Sequence, residues 1–351
     1  MHDIKKAIIK EDVIIENSRK QELNVTLNNS ESQGELSPCF IKNFDKIKIK
    51  EIDPVTFSYK REKFSFEKGF DMRVDGVNDL IFKLANKGTS WQLIEENVIE
   101  YFNNYNVNLK EIYNWLLNNP NNLNSIFLLG YFNYRGIETN VDLKKAFNLF
   151  NASKENHILS QYFVGNCYEF GNGTTKNEKL AFEYFEKSAK KNFSHGQLEI
   201  GYFYDCEIGV KRDLIKAFYW YKKAANNGNI IAMYNLGRYY LNGIVIEKDC
   251  KKAFELFKKS AEGGYSNGIM MLGYSYEMGI GTKKDKQKAF ESYQNAANFG
   301  EKVAQYNLAL MYEKGNGVTK DKDKAIYWYE KSAKQGYHSA QDKLEMFQNN
   351  L

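Results

Sequence analysis

The chain has 351 residues, of which 43% are hydrophobic and 26% are charged, a composition typical of a globular protein and not of a disordered or fibrous one. No apolar run approaches the roughly 18 residues that a membrane-spanning helix needs, so we expect no membrane insertion. The net charge of +5 comes from 49 basic and 44 acidic residues that are interleaved along the chain, which is typical of a solvated surface and argues against nucleic acid as a partner.

The part of the chain before residue 122 divides into two regions. Residues 1–75 are rich in Asn, Lys, Glu and Ser, and we expect a flexible polar N-terminal region there. Residues 76–121 are expected to form N-terminal helices and a capping half-repeat. An amphipathic stretch runs from Asp79 to Tyr105, and the segment from Lys110 to Asn119 (KEIYNWLLNN) aligns with the second helix of the repeats that follow.

From residue 122 onward the sequence repeats itself six times. A small residue that follows an apolar one recurs at intervals of 35 residues once and 36 residues thereafter. Sixteen residues after it, every copy carries an alanine. The small residues are Gly130, Gly165, Gly201, Gly237, Gly273 and Ala309. Six matching copies indicate a repeat architecture.

The spacings inside each copy predict two helices, A and B, joined by a loop. In the fourth copy, Ala253, Phe254 and Phe257 fall on one face of a helix with 3.6 residues per turn. Each helix B begins at a residue whose side chain can accept hydrogen bonds from the first turn, and ends at a residue that tolerates the left-handed conformation of a C-cap. The first residues are Asp142, Asn177, Asp213, Asp249, Asp285 and Asp321, and the last are Asn156, Asn192, Gly228, Gly264, Gly300 and Gly336.

One helical hairpin cannot bury its apolar face alone, so consecutive copies must stack. We therefore predict an all-α fold: a right-handed α/α superhelix, or solenoid, of about six 36-residue helix-loop-helix repeats. The six repeats and a C-terminal capping helix, from His338 to Phe347, would occupy residues 122–351. Helix A is expected to line the concave face.

The copies resemble a known repeat family. The pattern A-x-x-x-L-G-x-x-Y, a G-x-G loop, then D-x-x-K-A-F-x-x-[FYW]-x-K-x-A-x-x-G, seen best from Ala232 to Gly264, is similar to the Sel-one-like repeat, a relative of the tetratricopeptide repeat, and to the HCP-like proteins. The resemblance implies an adaptor for signalling or quality-control complexes, in some relatives linked to a protein kinase. Glu207 and Val245 each replace a loop glycine, which puts the loop geometry in question but not the fold.

The sequence carries no catalytic or cofactor motif. The paired loop glycines lack the third glycine and the preceding strand of a dinucleotide cradle, and the four histidines form no H-E-x-x-H pair. We therefore expect no catalytic residue, no cofactor and no metal. The four cysteines, Cys39, Cys167, Cys206 and Cys250, show no metal-type spacing, which indicates reduced thiols and a cytoplasmic location. Within the repeats, Cys167, Cys206 and Cys250 fall at three different repeat positions. They have no partner cysteine in the same copy, so we do not carry over the penicillin-directed activity of some HCP relatives.

Candidate binding residues come from comparing the copies. Positions that stay the same between copies are interpreted as packing, whereas groove positions that differ are free to bind. The packing positions include Tyr168, Tyr204, Tyr240, Tyr276 and Tyr312. By analogy with tetratricopeptide grooves, these lie one, four and five residues after the helix A glycine. The candidate peptide-binding residues are Tyr131, Arg135, Asn166, Glu169, Tyr202, Asp205, Arg238, Asn242, Tyr274, Glu277 and Glu313. The competing interpretation is that many of the aromatic ones pack against the next helix A.

We interpret the protein as a non-catalytic adaptor that binds protein or peptide segments on the concave face, with a kinase-linked signalling complex as one kind of partner. Two alternatives stay open. A single-stranded RNA-binding helical repeat is disfavoured because acidic groove residues would repel phosphate. A penicillin-hydrolase-type enzyme is disfavoured because no nucleophile with a base is visible. The partner, the pathway and the oligomeric state are not determined by the sequence.

Overall fold

A computed structural model describes residues 66–348, within which all regular structure is α-helical. Three helices precede the repeats: α1 (Phe66–Asn86), α2 (Trp91–Asn104) and α3 (Leu109–Asn118). The predicted flexibility of the N-terminal region falls mostly on residues 1–65, outside the described residues. Helix α1, however, begins ten residues before the predicted boundary, because Phe70 and Val74 continue its buried apolar face.

Six helical hairpins follow, as the repeat predicts. The first helices of the hairpins (helix A) are α4 (Leu123–Arg135), α6 (Ile158–Phe170), α8 (Ser194–Cys206), α10 (Ile230–Asn242), α12 (Ser266–Met278) and α14 (Lys302–Lys314). The second helices (helix B) are α5 (Leu143–Ser153), α7 (Glu178–Lys190), α9 (Leu214–Asn226), α11 (Cys250–Glu262), α13 (Lys286–Asn298) and α15 (Lys322–Lys334). A last helix, α16 (His338–Gln348), follows the sixth hairpin.

Each repeat helix packs mainly on the helices before and after it in the chain. This neighbour-to-neighbour packing is that of an α-solenoid, which confirms the predicted fold class. Among the described helices, none is both long enough and apolar enough to span a membrane.

Within a repeat, the glycine of helix A lets the two helices come close together. A Cβ atom added at Gly237 would lie 2.6 Å from the ring of Phe257 in helix B, and one at Gly201 would lie 2.7 Å from the ring of Tyr221. Both rings are almost fully buried. The small residue at this position therefore makes room for the aromatic residue that lies across from it, and in repeat six Ala309 takes the place of the glycine.

Between repeats, a tyrosine of helix A is held from two sides. The ring of Tyr240 meets Phe218 of the preceding repeat nearly edge-on, with centroids 5.9 Å apart, and Lys252 of its own repeat places Nζ 4.6 Å from the ring centre. Repeats three, five and six make the same pair of contacts. The D-x-x-K-A-F pattern thus joins one repeat to the next.

The predicted caps of helix B are present. All six first residues accept a backbone hydrogen bond from the first turn, as Asp249 does from the Lys252 N–H. Five of the six C-terminal positions adopt a left-handed conformation, and Asn156 is the exception. Helix α5 is also two residues shorter than the other five helices B.

The A–B loops keep one backbone conformation in spite of the substitutions. Glu207 has a φ of 60° and Val245 a φ of 57°, close to the values of the glycines at the same places, such as 72° for Gly279. The fold therefore imposes the left-handed geometry even where the residue disfavours it.

Val245→Gly should stabilise the protein. A β-branched residue in the left-handed region costs roughly 1–2 kcal/mol, part of which is offset by the larger unfolded-state entropy of glycine, so we expect a net gain of about 1 kcal/mol and a higher midpoint in thermal unfolding. Glu247→Gly, at an exposed position of the same loop without positive φ, is the control and should give no gain. Equal effects of the two changes would contradict the argument.

Candidate protein-binding surface

The helix A face is the surface on which the outward side chains of α4, α6, α8, α10, α12 and α14 lie, and it carries the candidate residues. In repeats one to three this face is covered by the hairpin α1–α2. Helix α1 contacts both α4 and α8, and its end reaches the start of α10, where the Lys87 carbonyl accepts a hydrogen bond from the Ile230 N–H (3.1 Å). It therefore crosses three repeats.

Helix α1 supplies hydrogen bonds that the repeats lack. Helix α8 has no side-chain cap of its own, because Phe193 occupies its N-cap position. The Asn86 side-chain oxygen accepts a hydrogen bond from the Ser194 N–H (2.7 Å), and the Asn86 carbonyl accepts one from the Ser194 hydroxyl (2.6 Å). Near the middle of α1, Asn124 donates a hydrogen bond to Asp75 (2.7 Å).

Helix α2 is held by aromatic contacts and one ion pair. The Trp91 ring lies 4.8 Å from the ring of Phe163 and 5.5 Å from those of Tyr162 and His195, measured between centroids. Glu95, one turn further along α2, accepts a hydrogen bond from Arg135 Nε (2.6 Å). The helix A face thus already binds a helix through an aromatic anchor and a carboxylate four residues later.

Most candidate residues in repeats one to three are buried or already bonded. Tyr131, Glu169 and Tyr202 are buried, and Arg135 is paired with Glu95. Asn166 is half-buried and accepts a hydrogen bond from the Tyr134 hydroxyl (2.7 Å). The aromatic residues here pack as the competing interpretation of the sequence described.

Repeats four to six leave their helix A face accessible. Asn242 is exposed, whereas Arg238 and Tyr274 are half-buried, the former with its guanidinium 5.9 Å from the ring centre of Tyr234. Further residues at the same positions add apolar surface: Met278 is 45% exposed and Leu310 is half-buried. The structure thus places the accessible candidate residues on one continuous section of three helices.

Three of the four acidic candidates are bonded inside their own repeat. Asp205, Glu277 and Glu313 accept hydrogen bonds from the buried hydroxyls of Tyr221, Tyr293 and Tyr329, respectively, with 2.8 Å between Tyr293 and Glu277. The assumption that these variable positions carry no packing constraint is therefore wrong. In repeats three, five and six, the carboxylate at this position accepts a hydrogen bond from a buried tyrosine of helix B.

Glu313 has a second partner in α16. Lys343 Nζ lies 3.0 Å and 3.1 Å from its two carboxylate oxygens. Burial opposes ionisation of Glu313, but the hydrogen bonds from Tyr329 and Lys343 outweigh it, and the pKa of this carboxyl is lowered. The ion pair fastens the last helix to the sixth repeat.

Comparison with known proteins agrees with the repeat geometry. The sequence pattern of the Sel1 repeat matches six segments that together cover more than half of the chain: residues 123–156, 158–193, 194–229, 230–265, 266–298 and 302–337. The chain belongs to the Sel1 repeat family. Among curated proteins, none matches it.

Two solved structures are similar to this Sel1 repeat protein. A Sel1 repeat protein from Oxalobacter formigenes is 30% identical, with a TM-score of 0.56, over 61% of this chain and 84% of its own. The protein c5321, a protective antigen present in uropathogenic Escherichia coli strains that displays an SLR fold, is 26% identical, with a TM-score of 0.59, over 82% of this chain and 68% of its own. Sel1 repeat proteins are generally protein-interaction scaffolds, and the fold is typically non-enzymatic.

Sequence reasoning missed one row of the helix A face. The residues that receive the hairpin, Asn124, Tyr162 and His195, lie three or six positions before the helix A glycine or its equivalent, whereas the prediction considered only positions after it. The signal was present, since this row also varies between the Sel1 repeats.

His157 connects this row to the helix caps. It is the N-cap of α6, and its second ring nitrogen lies 3.0 Å from the Asn124 side-chain oxygen. Burial, and to a smaller degree the positive charge of Lys191, lowers the pKa of His157 to about 4. Among the described residues, no group of three or more His, Cys, Asp or Glu side chains could hold a metal ion.

Replacing both Glu277 and Tyr293 by the residues of the fourth repeat should restore the stability that the change at Glu277 alone removes. Glu277→Leu leaves the buried Tyr293 hydroxyl without an acceptor, at an expected cost of about 1–3 kcal/mol. Adding Tyr293→Phe recreates Leu241 with Phe257, as in repeat four, and should recover most of the loss in chemical denaturation. Additive losses in the double variant would contradict the role given to the pair.

His157→Asn should reduce the acid sensitivity of the protein. The pKa of His157 is lowered in the folded state, so its contribution to stability is complete above about pH 6.5 and is lost as the pH falls toward 4. Asparagine serves as the helix A N-cap in repeats one and four, which makes it a conservative replacement. The thermal midpoint of the variant should fall less between pH 7 and pH 4.5 than that of the unsubstituted protein. Equal falls would exclude His157 as a cause.

Proposed function

We propose that this Sel1 repeat protein is a non-catalytic scaffold that binds helical segments of partner proteins on the helix A face of repeats four to six. The observation that carries the proposal is the hairpin α1–α2, which occupies the same face in repeats one to three. The adjoining section is accessible and is built from the same rows of residues.

The contacts made in the covered section indicate which kind of partner helix the open section binds. Trp91 sits among three rings of the helix A face, and Glu95 follows it by one helical turn on the same side of α2. The open section offers a comparable surface, with Tyr274, Met278 and Leu310 as apolar contacts. A partner helix with an aromatic or large aliphatic anchor fits this chemistry.

Polar groups of the open section would fix the orientation of a bound partner helix. Arg238 and Lys314 carry positive charge at its two ends, and Asn242 is exposed between charged positions. Glu277 and Glu313 are already bonded to tyrosine hydroxyls, which fixes their side chains. The acids also support a protein partner over RNA, because phosphate would be repelled by them.

The proposal extends to complex assembly in the cytoplasm, with signalling complexes as its most specific form. The cytoplasmic location is supported by the free cysteines among the described residues, Cys167, Cys206 and Cys250. The signalling role rests on resemblance to the repeat family alone, and no catalytic step is part of the proposal.

Tyr274→Ala combined with Met278→Asp should weaken partner binding at least tenfold, since truncating a buried aromatic anchor costs about 2 kcal/mol or more. A photoreactive residue at position 310 would first crosslink a partner segment from the native cell, to be identified by mass spectrometry and titrated as a labelled peptide. Tyr327→Ala, at a tyrosine 49% exposed on helix B, is the matched control.

The control variant should bind like the unsubstituted protein, and circular dichroism should show equal helicity in all three. Unchanged affinity of the double variant, or crosslinked segments that are not helical in the complex, would contradict the proposal.

A further inference from the structure

The outward face of helix B in the third repeat differs from that of the other five. Ile215 and Tyr219 lie two residues before and after the fully buried Ala217, about 200° around the helix, so they point away from helix A. They are 71% and 56% exposed. The other copies carry Lys144, Lys179, Lys251, Gln287 and Asp323 at the first position, and Asn148, Glu183, Glu255, Glu291 and Tyr327 at the second. Only in the third repeat are both positions apolar or aromatic.

Positive charge accompanies this apolar pair within its own repeat. Between Ile208 and Asn229 the chain has five basic residues and one acidic residue, whereas the neighbouring helices B carry Glu183 and Glu255 at the position of Tyr219. The acidic one, Asp213, is engaged as the N-cap of α9, where it accepts a hydrogen bond from the Lys216 N–H (3.0 Å). We define the basic patch as the exposed residues Lys211, Arg212, Ile215, Tyr219 and Lys222.

The hairpin α1–α2 presents the opposite chemistry. On α1, Asp71, Asp75 and Asp79 are exposed at intervals of four residues, which places them along one side of the helix. The exposed Lys83 follows at the same interval, so the acidic part of this side ends at Asp79. Apolar residues stand beside the acids on both helices, with Met72 45% and Leu93 43% exposed. We define the acidic face as Asp71, Met72, Asp75, Asp79, Leu93, Glu96 and Glu100.

These two surfaces cannot meet within one molecule. The hairpin packs on helix A of the third repeat, and the basic patch lies on the far side of helix B, so that both helices of that repeat stand between them. We propose that the acidic face of one molecule docks on the basic patch of a second copy. Because the two surfaces differ, the contact is head-to-tail and can extend into a chain of molecules.

The details of the patch favour a protein partner. Lys223 Nζ lies 5.2 Å from the centre of the Trp220 ring and Tyr219 meets that ring edge-on, so the indole is already engaged and is poorly placed to stack on a base. A membrane-binding face buries more apolar side chains than the two that are exposed here, Ile215 and Tyr219. Apolar residues on both surfaces, each framed by charge of opposite sign, match one another.

Charge reversal tests the pairing. One variant carries Lys211→Glu, Arg212→Glu and Lys222→Glu; the other carries Asp71→Lys, Asp79→Lys and Glu96→Lys. At about 50 mM salt, where exposed charges are weakly screened, the unsubstituted chain should exceed its monomer mass of 40.9 kDa as its concentration is raised, as measured by sedimentation velocity. Each variant alone should remain a monomer. An equimolar mixture of the two should associate again, since each then meets a complementary surface.

The apolar contact is tested without removing positive charge. Ile215→Lys with Tyr219→Asn installs residues that other copies carry at these positions, so the fold should be retained, and self-association should weaken at least about tenfold. Lys251→Ala, on helix B of the fourth repeat, is the control and should have no effect.

A monomer at every concentration would overturn the proposal, as would reversal variants that associate alone or a mixture that does not. Binding of the monomer to anionic vesicles or to single-stranded RNA, lost in the basic-patch variant and without any change in protein mass, would assign the patch to that ligand and would also overturn it.

Discussion

The solenoid depends on one contact between successive repeats: a helix A tyrosine enclosed by a phenylalanine of the preceding helix B and a lysine of its own. Tyr240, between Phe218 and Lys252, is representative. Because repeats three, four and five each contain both halves of the contact, the same few residues propagate the stack along this part of the chain. The glycine of helix A serves this arrangement, since Gly237 allows the two helices of a repeat to approach closely enough for their aromatic residues to interdigitate.

The solenoid has two faces, and they differ in what their exposed side chains contact. On the helix A face, the first three repeats are used to bind the chain's own α1–α2 hairpin, and the last three remain accessible. On the side of helix B, positions that point to solvent are mostly charged, as expected for a surface that binds nothing. The apolar pair Ile215 and Tyr219 breaks that rule in one repeat only. Positions that depart from the repeat pattern are therefore the ones that indicate a binding surface.

The comparison between copies identified packing residues, but it did not separate binding positions from positions that pack. It separated Tyr240 and its equivalents as structural residues, and the structure agrees. It also treated variation at Glu277 as freedom to bind, although this carboxylate accepts a hydrogen bond from Tyr293 of helix B, and repeat four pairs Leu241 with Phe257 instead. Repeat two departs from this pairing, with Glu169 and Phe185 at the same positions. A position can vary between copies because it changes together with a position on the other helix. The order of residues along the chain does not show which two positions are linked in this way.

The sequence by itself determined the repeat, the two helices of each copy and the caps at Asp249 and its equivalents, because helical periodicity and capping depend on residues only a few positions apart. Only the tertiary structure decided which part of the helix A face is open. Asn86 completes the cap of α8 at Ser194, 108 residues further along the chain, and Trp91 fills the space beside Tyr162. No local pattern encodes such contacts, since they arise where the chain folds back on the finished array.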